Sequence, residues 1–191
     1  DIGELKEGDN MKRNHCGILV MIIAIFLTIS FAGCSSPQKE DGKHMDNEEK
    51  ELYGRIVPPE GFVEGTSETE NVMATYKKDM ANITLLRTYV GSDETLEEYV
   101  RDSREKYEDD VLHFMEFEFV DTDGLEYSGS DKDAIAFEAL QDKVMRKYWV
   151  VIVLHAEYAF EIICNAPKNE FDEYATSFNA AISSFEIFES K

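Results

Sequence analysis

The chain has 191 residues, and its 40 acidic against 19 basic side chains give a formal net charge of −21. A surface this acidic repels nucleic acid and anionic lipid headgroups, so we exclude both as partners. The same charge favours solubility of the folded chain.

The N-terminal part of the chain has the pattern of a secretory signal. Lys12 and Arg13 follow Met11, and the next stretch, 17–31, is 15 residues long without a charged side chain. A permanent membrane helix needs about 20 apolar residues, so we expect this segment to be removed rather than retained. Residues 1–10 fit neither a signal nor a domain, and we interpret them as sequence upstream of the true start at Met11.

The signal, residues 11–33, ends in a motif that resembles the bacterial lipobox. That motif has Leu, a small residue, Gly or Ala, and then Cys, and here it is Phe31-Ala32-Gly33-Cys34, with Phe31 departing from the usual Leu. The resemblance implies cleavage between Gly33 and Cys34 and attachment of a diacylglyceryl group and a fatty acid such as palmitate to Cys34. Several acyl chains together give a durable membrane anchor. The mature chain from Cys34 lacks the three basic and four acidic residues of 1–33, which leaves 16 basic and 36 acidic residues and a net charge of −20.

The mature chain divides into a linker and one domain. Residues 34–52 begin with Cys34. Residues 35–52 are rich in Lys, Glu and Asp and lack an aromatic residue, which predicts a flexible tether that spans roughly 24 Å. Residues 53–191 number 139, a common size for a single domain. Because Cys16 leaves with the signal and Cys34 is lipidated, Cys164 has no partner for an internal disulfide. The apolar positions around Cys164 predict a buried structural thiol.

The first half of the domain reads as an extended segment, a hairpin and a helix. Two prolines in 57–62 disfavour helix there. The β-branched and aromatic runs 72–78 and 82–90 are separated by three residues, which predicts a hairpin. Apolar residues at helical spacing, with Thr95 and Glu98 at capping-box spacing, predict a helix over 95–109.

The second half reads as four strands, a helix and a short last strand. Strands are predicted at 112–120, which alternates apolar and acidic residues, and at 134–140. Residues 147–155 and 157–164 are apolar on both faces, which is typical of central strands and also of a buried helix; their β-branched and aromatic residues favour strands. The spacing of the apolar residues over 171–185 then predicts a helix.

The N-terminus of that helix and the segment that follows it are also predicted. Pro167 lies ahead of the helix, and Asn169 is the expected N-cap. Residues 184–189 are expected to form a closing strand at the edge of the sheet.

Several motifs accompany this order of elements. They are Pro58-Pro59-Glu60-Gly61-Phe62, Thr95-Leu96-Glu97-Glu98-Tyr99, Asp123-Gly124-Leu125, and Ala166-Pro167 followed by Phe171, Tyr174, Phe178 and Ser184-Phe185-Glu186-Ile187. Together with the order of elements, these motifs resemble the PsbP-like domains, a group that includes the DcrB-like bacterial lipoproteins and the Mog-type Ran-binding proteins. The resemblance covers residues 56–188 and implies an α+β fold in which helices flank a central antiparallel sheet. The stretch 127–133 departs from the group, because related domains run directly into a strand there, so the order of the middle strands stays open.

Residues with catalytic chemistry are few. His113 and His155 are the histidines of the domain, and neither has a Ser or Cys motif beside it, so we assign no catalytic residue. The sequence has no metal-binding or phosphate-binding motif, and we expect no cofactor. Asp121, Asp123 and Glu126 are the weak candidates for a calcium site, but Gly124 does not occupy the EF-hand position, so a solvated loop is the favoured interpretation.

These features predict a lipoprotein on the extracytoplasmic face of the cell membrane. Its first expected function, implied by the resemblance, is non-enzymatic: a protein-binding or assembly module for a partner in the cell envelope. The alternative is a solute- or ion-binding lipoprotein that serves a transporter or sensor. An envelope enzyme has the least support.

Overall fold

A computed structural model describes residues 51–111 and 116–189 of the chain, with the side chains of 110 and 111 excepted. Nine strands and two helices lie in these ranges. In chain order they are β1 Leu52–Arg55, β2 Val63–Glu64, β3 Val72–Lys78, β4 Ala81–Tyr89, α1 Leu96–Val111, β5 Phe117–Phe119, β6 Lys132–Gln141, β7 Val144–His155, β8 Tyr158–Pro167, α2 Phe171–Ser183 and β9 Glu186–Glu189.

Seven of the strands form one antiparallel sheet with the order β2-β3-β4-β8-β7-β6-β5. Strand β8 lies at the centre, between β4 and β7, which resolves the order of the middle strands. Helices α1 and α2 pack against opposite faces of this sheet, so the predicted α+β class is confirmed. Neither helix in the described ranges is long and apolar enough to cross a membrane.

Strand β7 shows why the sheet is covered on both sides. Its odd-numbered residues, such as Trp149 and Val151, enter the core beneath α2, and its even-numbered residues, such as Val150 and Ile152, enter the core beneath α1. All four are at most 1% exposed. Because neighbouring residues of a strand point to opposite faces, a strand segment covered on both faces is apolar at nearly every position. The prediction of two central strands is therefore confirmed over the buried-helix alternative.

Tight turns join the long strands. The predicted hairpin of β3 and β4 turns at Asp79, which has a φ of 52°. Strands β6 and β7 turn at Asp142 and Lys143, both with positive φ, as a two-residue hairpin turn of type I′ requires. Glycine is common at such positions and is absent here, so this turn could not be predicted from its residues.

The two helices begin in different ways. Thr95 and Glu98 form the predicted capping box at α1: the Glu98 amide donates to the Thr95 hydroxyl over 3.3 Å, and the Thr95 hydroxyl donates to the Glu98 carboxylate over 2.7 Å. This bond lowers the pKa of Glu98. The expected cap of α2 was wrong. Glu170, rather than Asn169, is the N-cap, and its side chain makes no capping bond, because the chain turns through Pro167 and donates the Glu170 amide to the Pro167 carbonyl.

The last strand also differs from its prediction. Strand β9 does not join the edge of the large sheet; it pairs with β1 in a separate two-stranded sheet, with Tyr53 opposite Phe188. Ile187 packs against the core beneath α2, which holds this small sheet over that face. Strand β1 begins at Leu52, one residue before the predicted start of the domain. Of the strand predicted at 112–120, Phe117–Phe119 forms β5, and residues 112–115 lie outside the described ranges.

Candidate functional site

The residues expected to carry the anchor lie outside the described ranges. Gly33 and Cys34 belong to residues 1–50, so their roles in cleavage and lipidation stay predictions. His113 also lies outside the described ranges. His155 is exposed at the end of β7, where the chain turns into β8. The structure thus describes one of the two domain histidines.

The calcium candidates lie on a surface loop. Asp121, Asp123 and Glu126 are all exposed, and no group of three Asp, Glu, His or Cys side chains suited to a metal ion occurs in the described part of the chain. The loop is held by α2 instead. The Asn179 amide group accepts from the Glu126 backbone N–H over 2.9 Å and donates to the Gly124 carbonyl over 2.8 Å. This reciprocal pair of hydrogen bonds attaches the loop to α2.

Cys164 is the buried thiol that its strand pattern predicted. It is 0% exposed and lies in the core beneath α2. Burial raises the pKa of the thiol above its ordinary value of 9.0, which keeps the sulfur protonated and unreactive at neutral pH. Cys164 is therefore a structural residue and carries no site.

An open groove runs along α1. It has a volume of about 430 Å³ and is lined by Leu96, Glu97, Val100, Arg101, Arg104 and Asp133. Leu96 and Val100 form the apolar floor, and Arg104 lies over the ring of Phe119 at 5.1 Å. Of the charged residue types in this lining, arginine is enriched in protein interfaces, whereas Glu and Asp are depleted there.

A buried carboxylate fixes the position of α1 over the sheet. Glu161 of β8 is 5% exposed and accepts hydrogen bonds of 2.7 Å from the hydroxyls of both Tyr99 and Tyr107. No basic side chain in the described ranges forms an ion pair with Glu161. Burial and the charge of Glu161 raise the pKa of Tyr99 well above its ordinary value of 10.0. With both oxygens occupied, this carboxylate acts as a fixed acceptor for α1.

A buried cation lies on the same face of the sheet. Arg146 of β7 is 7% exposed, and its guanidinium donates to the side-chain oxygen of Asn165 over 2.6 Å and to the carbonyl of Met80. Asn82 also donates to Asn165. Arg146 forms no ion pair among the described residues. Both buried charges of this face, Glu161 and Arg146, are therefore hydrogen-bonded to neutral groups rather than to an opposite charge.

Aromatic side chains and an arginine form an exposed surface beside the start of β1. We call it the aromatic–arginine surface, and it comprises Tyr53, Arg87, Tyr89, Tyr158 and Phe188. The Arg87 guanidinium carbon lies 4.7 Å from the ring centre of Tyr53 and 5.1 Å from that of Tyr158. Ring centres are 6.0 Å apart for Tyr53 and Phe188 and 5.5 Å apart for Tyr89 and Tyr158. Tyr89 is 64% exposed and Phe188 46% exposed.

Strand pairing assembles this surface from distant parts of the sequence. Tyr53 faces Phe188 across β1 and β9, and Tyr89 faces Tyr158 across β4 and β8. Arg87 joins the two pairs, because its guanidinium lies over one ring of each, Tyr53 and Tyr158. It also donates hydrogen bonds to the Leu52 carbonyl over 2.5 Å and to the Glu51 carboxylate over 2.6 Å. Sequence reasoning did not find this surface, since its members lie on four strands and share no motif.

The sequence around Glu161 contains a pattern from which its buried hydrogen bonds could have been predicted. It is the one charged residue in the otherwise apolar run 159–164, and such a residue in a strand buried on both faces needs a polar partner. The predicted face of α1 already contained Tyr99 and Tyr107, which are those partners.

Comparisons with known proteins show the fold alone. No family model and no curated protein matches the chain. Among solved structures, LpqN of Mycobacterium tuberculosis, described as involved in cell envelope biogenesis, is 8% identical, with a TM-score of 0.54 over 74% of this chain and 87% of that one. The cyanobacterial PsbP protein of Synechocystis is 14% identical, with a TM-score of 0.49 over 77% of this chain and 98% of that one. The chain therefore shares with LpqN the antiparallel sheet flanked by helices that the resemblance to PsbP-like domains implied.

Proposed function

We propose that the chain is a lipoprotein, anchored through Cys34 on the extracytoplasmic face of the cell membrane, whose domain acts as a non-enzymatic binding or assembly module for an envelope protein. The leader and its Phe31-Ala32-Gly33-Cys34 motif support the anchor. LpqN shares the fold and is described as involved in cell envelope biogenesis, which supports an envelope role.

The open groove along α1 is the observation that carries the binding role. A small-molecule site usually encloses its ligand, with a few polar groups that converge on it. The groove instead opens along a helix, and its charged side chains Glu97, Arg101 and Arg104 are exposed. The buried titratable groups nearby have fixed structural partners, as Glu161 has in Tyr99. A protein partner that lies along α1 fits this surface better than an enclosed solute.

Site-specific photo-crosslinking in intact cells tests the groove. A benzophenone amino acid is introduced at Glu97, on the rim of the groove, and as a matched control at Asp172. Both are exposed acidic residues in the first turn of a helix, but Asp172 belongs to α2 on the opposite face of the sheet. We expect a discrete crosslinked protein from position 97 and none from position 172.

Two results decide against this proposal. Identical adducts from positions 97 and 172 would mean that the groove is not the contact surface. No adduct from either position, together with a ligand-induced rise in the melting temperature, would favour the alternative of a solute-binding lipoprotein.

A further inference from the structure

The aromatic–arginine surface lies where the domain joins its linker. Tyr53 is two residues from the start of the described range at Glu51, and 16 residues separate Glu51 from Cys34. The linker is predicted to span roughly 24 Å. A domain of 139 residues has a radius of gyration of about 14 Å and hence a diameter of about 37 Å. Because this average span is shorter than the domain, an anchor at Cys34 favours contact of this end of the domain with the bilayer over contact of the opposite end.

The chemistry of this surface suits the membrane interface. Tyrosine rings combine an apolar body with a polar tip and are enriched at the boundary between lipid and water, where Arg is also favourable. Phe188 and Tyr89 are the most exposed rings of the surface. Both are among the exposed large apolar side chains of the described ranges, and they occur together with Tyr53 and Tyr158 rather than singly.

Two ion pairs lie at this surface. Arg87 pairs with Glu51 at 2.6 Å, and Arg55 pairs with Glu186 at 2.7 Å beside Phe188. Each pair cancels its own charge, although the chain as a whole has 40 acidic against 19 basic residues. Glu157 precedes Tyr158 and Glu189 follows Phe188, so zwitterionic rather than anionic lipid is the expected contact of this surface.

We propose that the aromatic–arginine surface lies on the membrane, with Phe188 and Tyr89 in the headgroup region of the bilayer. This inference rests on the proposed anchoring through Cys34. It specifies the orientation of the tethered domain: the β1 end faces the lipid. The turn between β3 and β4 lies at the other end of β4 from Tyr89, roughly 30 Å away, and faces the envelope space.

Fluorescence quenching by brominated lipid tests this orientation. The chain from Cys34 to Lys191 is coupled through the Cys34 thiol to maleimide phospholipid in phosphatidylcholine vesicles, a reaction for which Cys164 is inaccessible at 0% exposure. A tryptophan is placed either by Phe188→Trp or, as a matched control, by Met80→Trp in the β3–β4 turn. Phe188 and Met80 are each 46% exposed. The unaltered chain, whose Trp149 is 1% exposed, gives the background.

We expect brominated lipid to remove about half of the added fluorescence of the Phe188→Trp chain and little of that of the Met80→Trp chain, because an interfacial side chain lies within about 5–10 Å of the acyl boundary. Adding phosphatidylglycerol should reduce the quenching, because the domain is acidic. Equal quenching of the two tryptophans, or none, would overturn the proposal. Because the anchor is attached chemically, such a failure is independent of whether cells lipidate Cys34.

Discussion

The two faces of the large sheet are stabilised in different ways. The face beneath α2 is apolar, with the rings of Trp149 and Phe171 in edge-to-face contact at 4.8 Å. The face beneath α1 has a smaller apolar core and also two buried charges, Glu161 and Arg146. The hydrophobic effect stabilises a fold but is not directional. Hydrogen bonds to a buried carboxylate, by contrast, require defined distances and angles between donor and acceptor. The comparison indicates that the α2 face supplies most of the stability and that Glu161 sets the position of α1 and its groove.

The largest effect is expected from removing a ring beneath α2. Phe178→Ala should lower the free energy of unfolding by about 3–5 kcal/mol, because Phe178 is 0% exposed and its loss leaves a cavity. Phe119→Ala is the matched change on the α1 face, where the ring is only half-buried, and it should cost less than half as much. Urea denaturation measures both. Equal losses would contradict the assignment of stability to the α2 face.

A smaller and more local effect is expected at Glu161. Glu161→Ala removes the hydrogen bonds that the hydroxyls of Tyr99 and Tyr107 donate to this carboxylate, and a hydrogen bond to a charged group contributes about 1.5–3 kcal/mol. Hydrogen exchange should show faster exchange in α1 than in α2. Glu161→Gln, which keeps one acceptor oxygen, should restore part of the protection.

Glu118→Ala, at an exposed acidic residue of β5, is the control for this change and should leave α1 unaffected. If Glu161→Ala slowed or left unchanged the exchange of α1, the role given to this carboxylate would be wrong.

Alkaline unfolding should separate the two faces by pH. Burial raises the pKa of Cys164 above 9.0 beneath α2, and beneath α1 it raises the pKa of Tyr99 above 10.0 and that of Tyr148 to about 12. Since the folded state retains these protons longer than the unfolded chain, stability is complete below pH 9 and falls as the pH rises. Each group adds a slope of up to about 1.4 kcal/mol per pH unit.

The variant Cys164→Ala identifies which group titrates first. Urea denaturation of this variant at a series of pH values should show the fall in stability beginning near pH 10, the ordinary value of the tyrosines, instead of pH 9. A fall that begins at the same pH in both chains would show that Cys164 does not contribute.

The smallest effect is expected at the helix starts. Thr95→Ala removes the capping box of α1 and should cost about 1 kcal/mol. Glu170→Ala at the start of α2 should change the free energy of unfolding by less than about 0.5 kcal/mol, because the Glu170 side chain makes no capping bond. Thermal denaturation of the two variants measures the difference, and a larger cost at Glu170 would reverse this part of the comparison.

Local patterns in the sequence were enough to predict most of the fold. The alternation and spacing of apolar residues identified both helices, the β3–β4 hairpin and the central strands β7 and β8, because each pattern follows from the geometry of a single element. The turn at Asp142 and Lys143 was not predicted, because both residues adopt positive φ although neither is glycine. The pairing of β9 with β1 was not predicted either, because Tyr53 and Phe188 are far apart in the sequence and no local pattern indicates their contact.

The candidate sites were harder to predict for the same reason. The groove along α1 depends on the packing of Leu96 and Val100 against Asp133 of β6, and the aromatic–arginine surface depends on the register of four strands. Both sites therefore form only through tertiary contacts between residues that are distant in the sequence. The sequence itself carries the anchor prediction, since the leader and Cys34 form one continuous motif.

Metabolic labelling with a fatty-acid probe tests the central claim, the lipid anchor at Cys34, most directly. The unaltered chain should be labelled and recovered with membranes, and so should the Cys164→Ala chain, because Cys164 is buried. The Cys34→Ala chain should be unlabelled. Equal labelling of the Cys34→Ala chain and the unaltered chain would contradict the account.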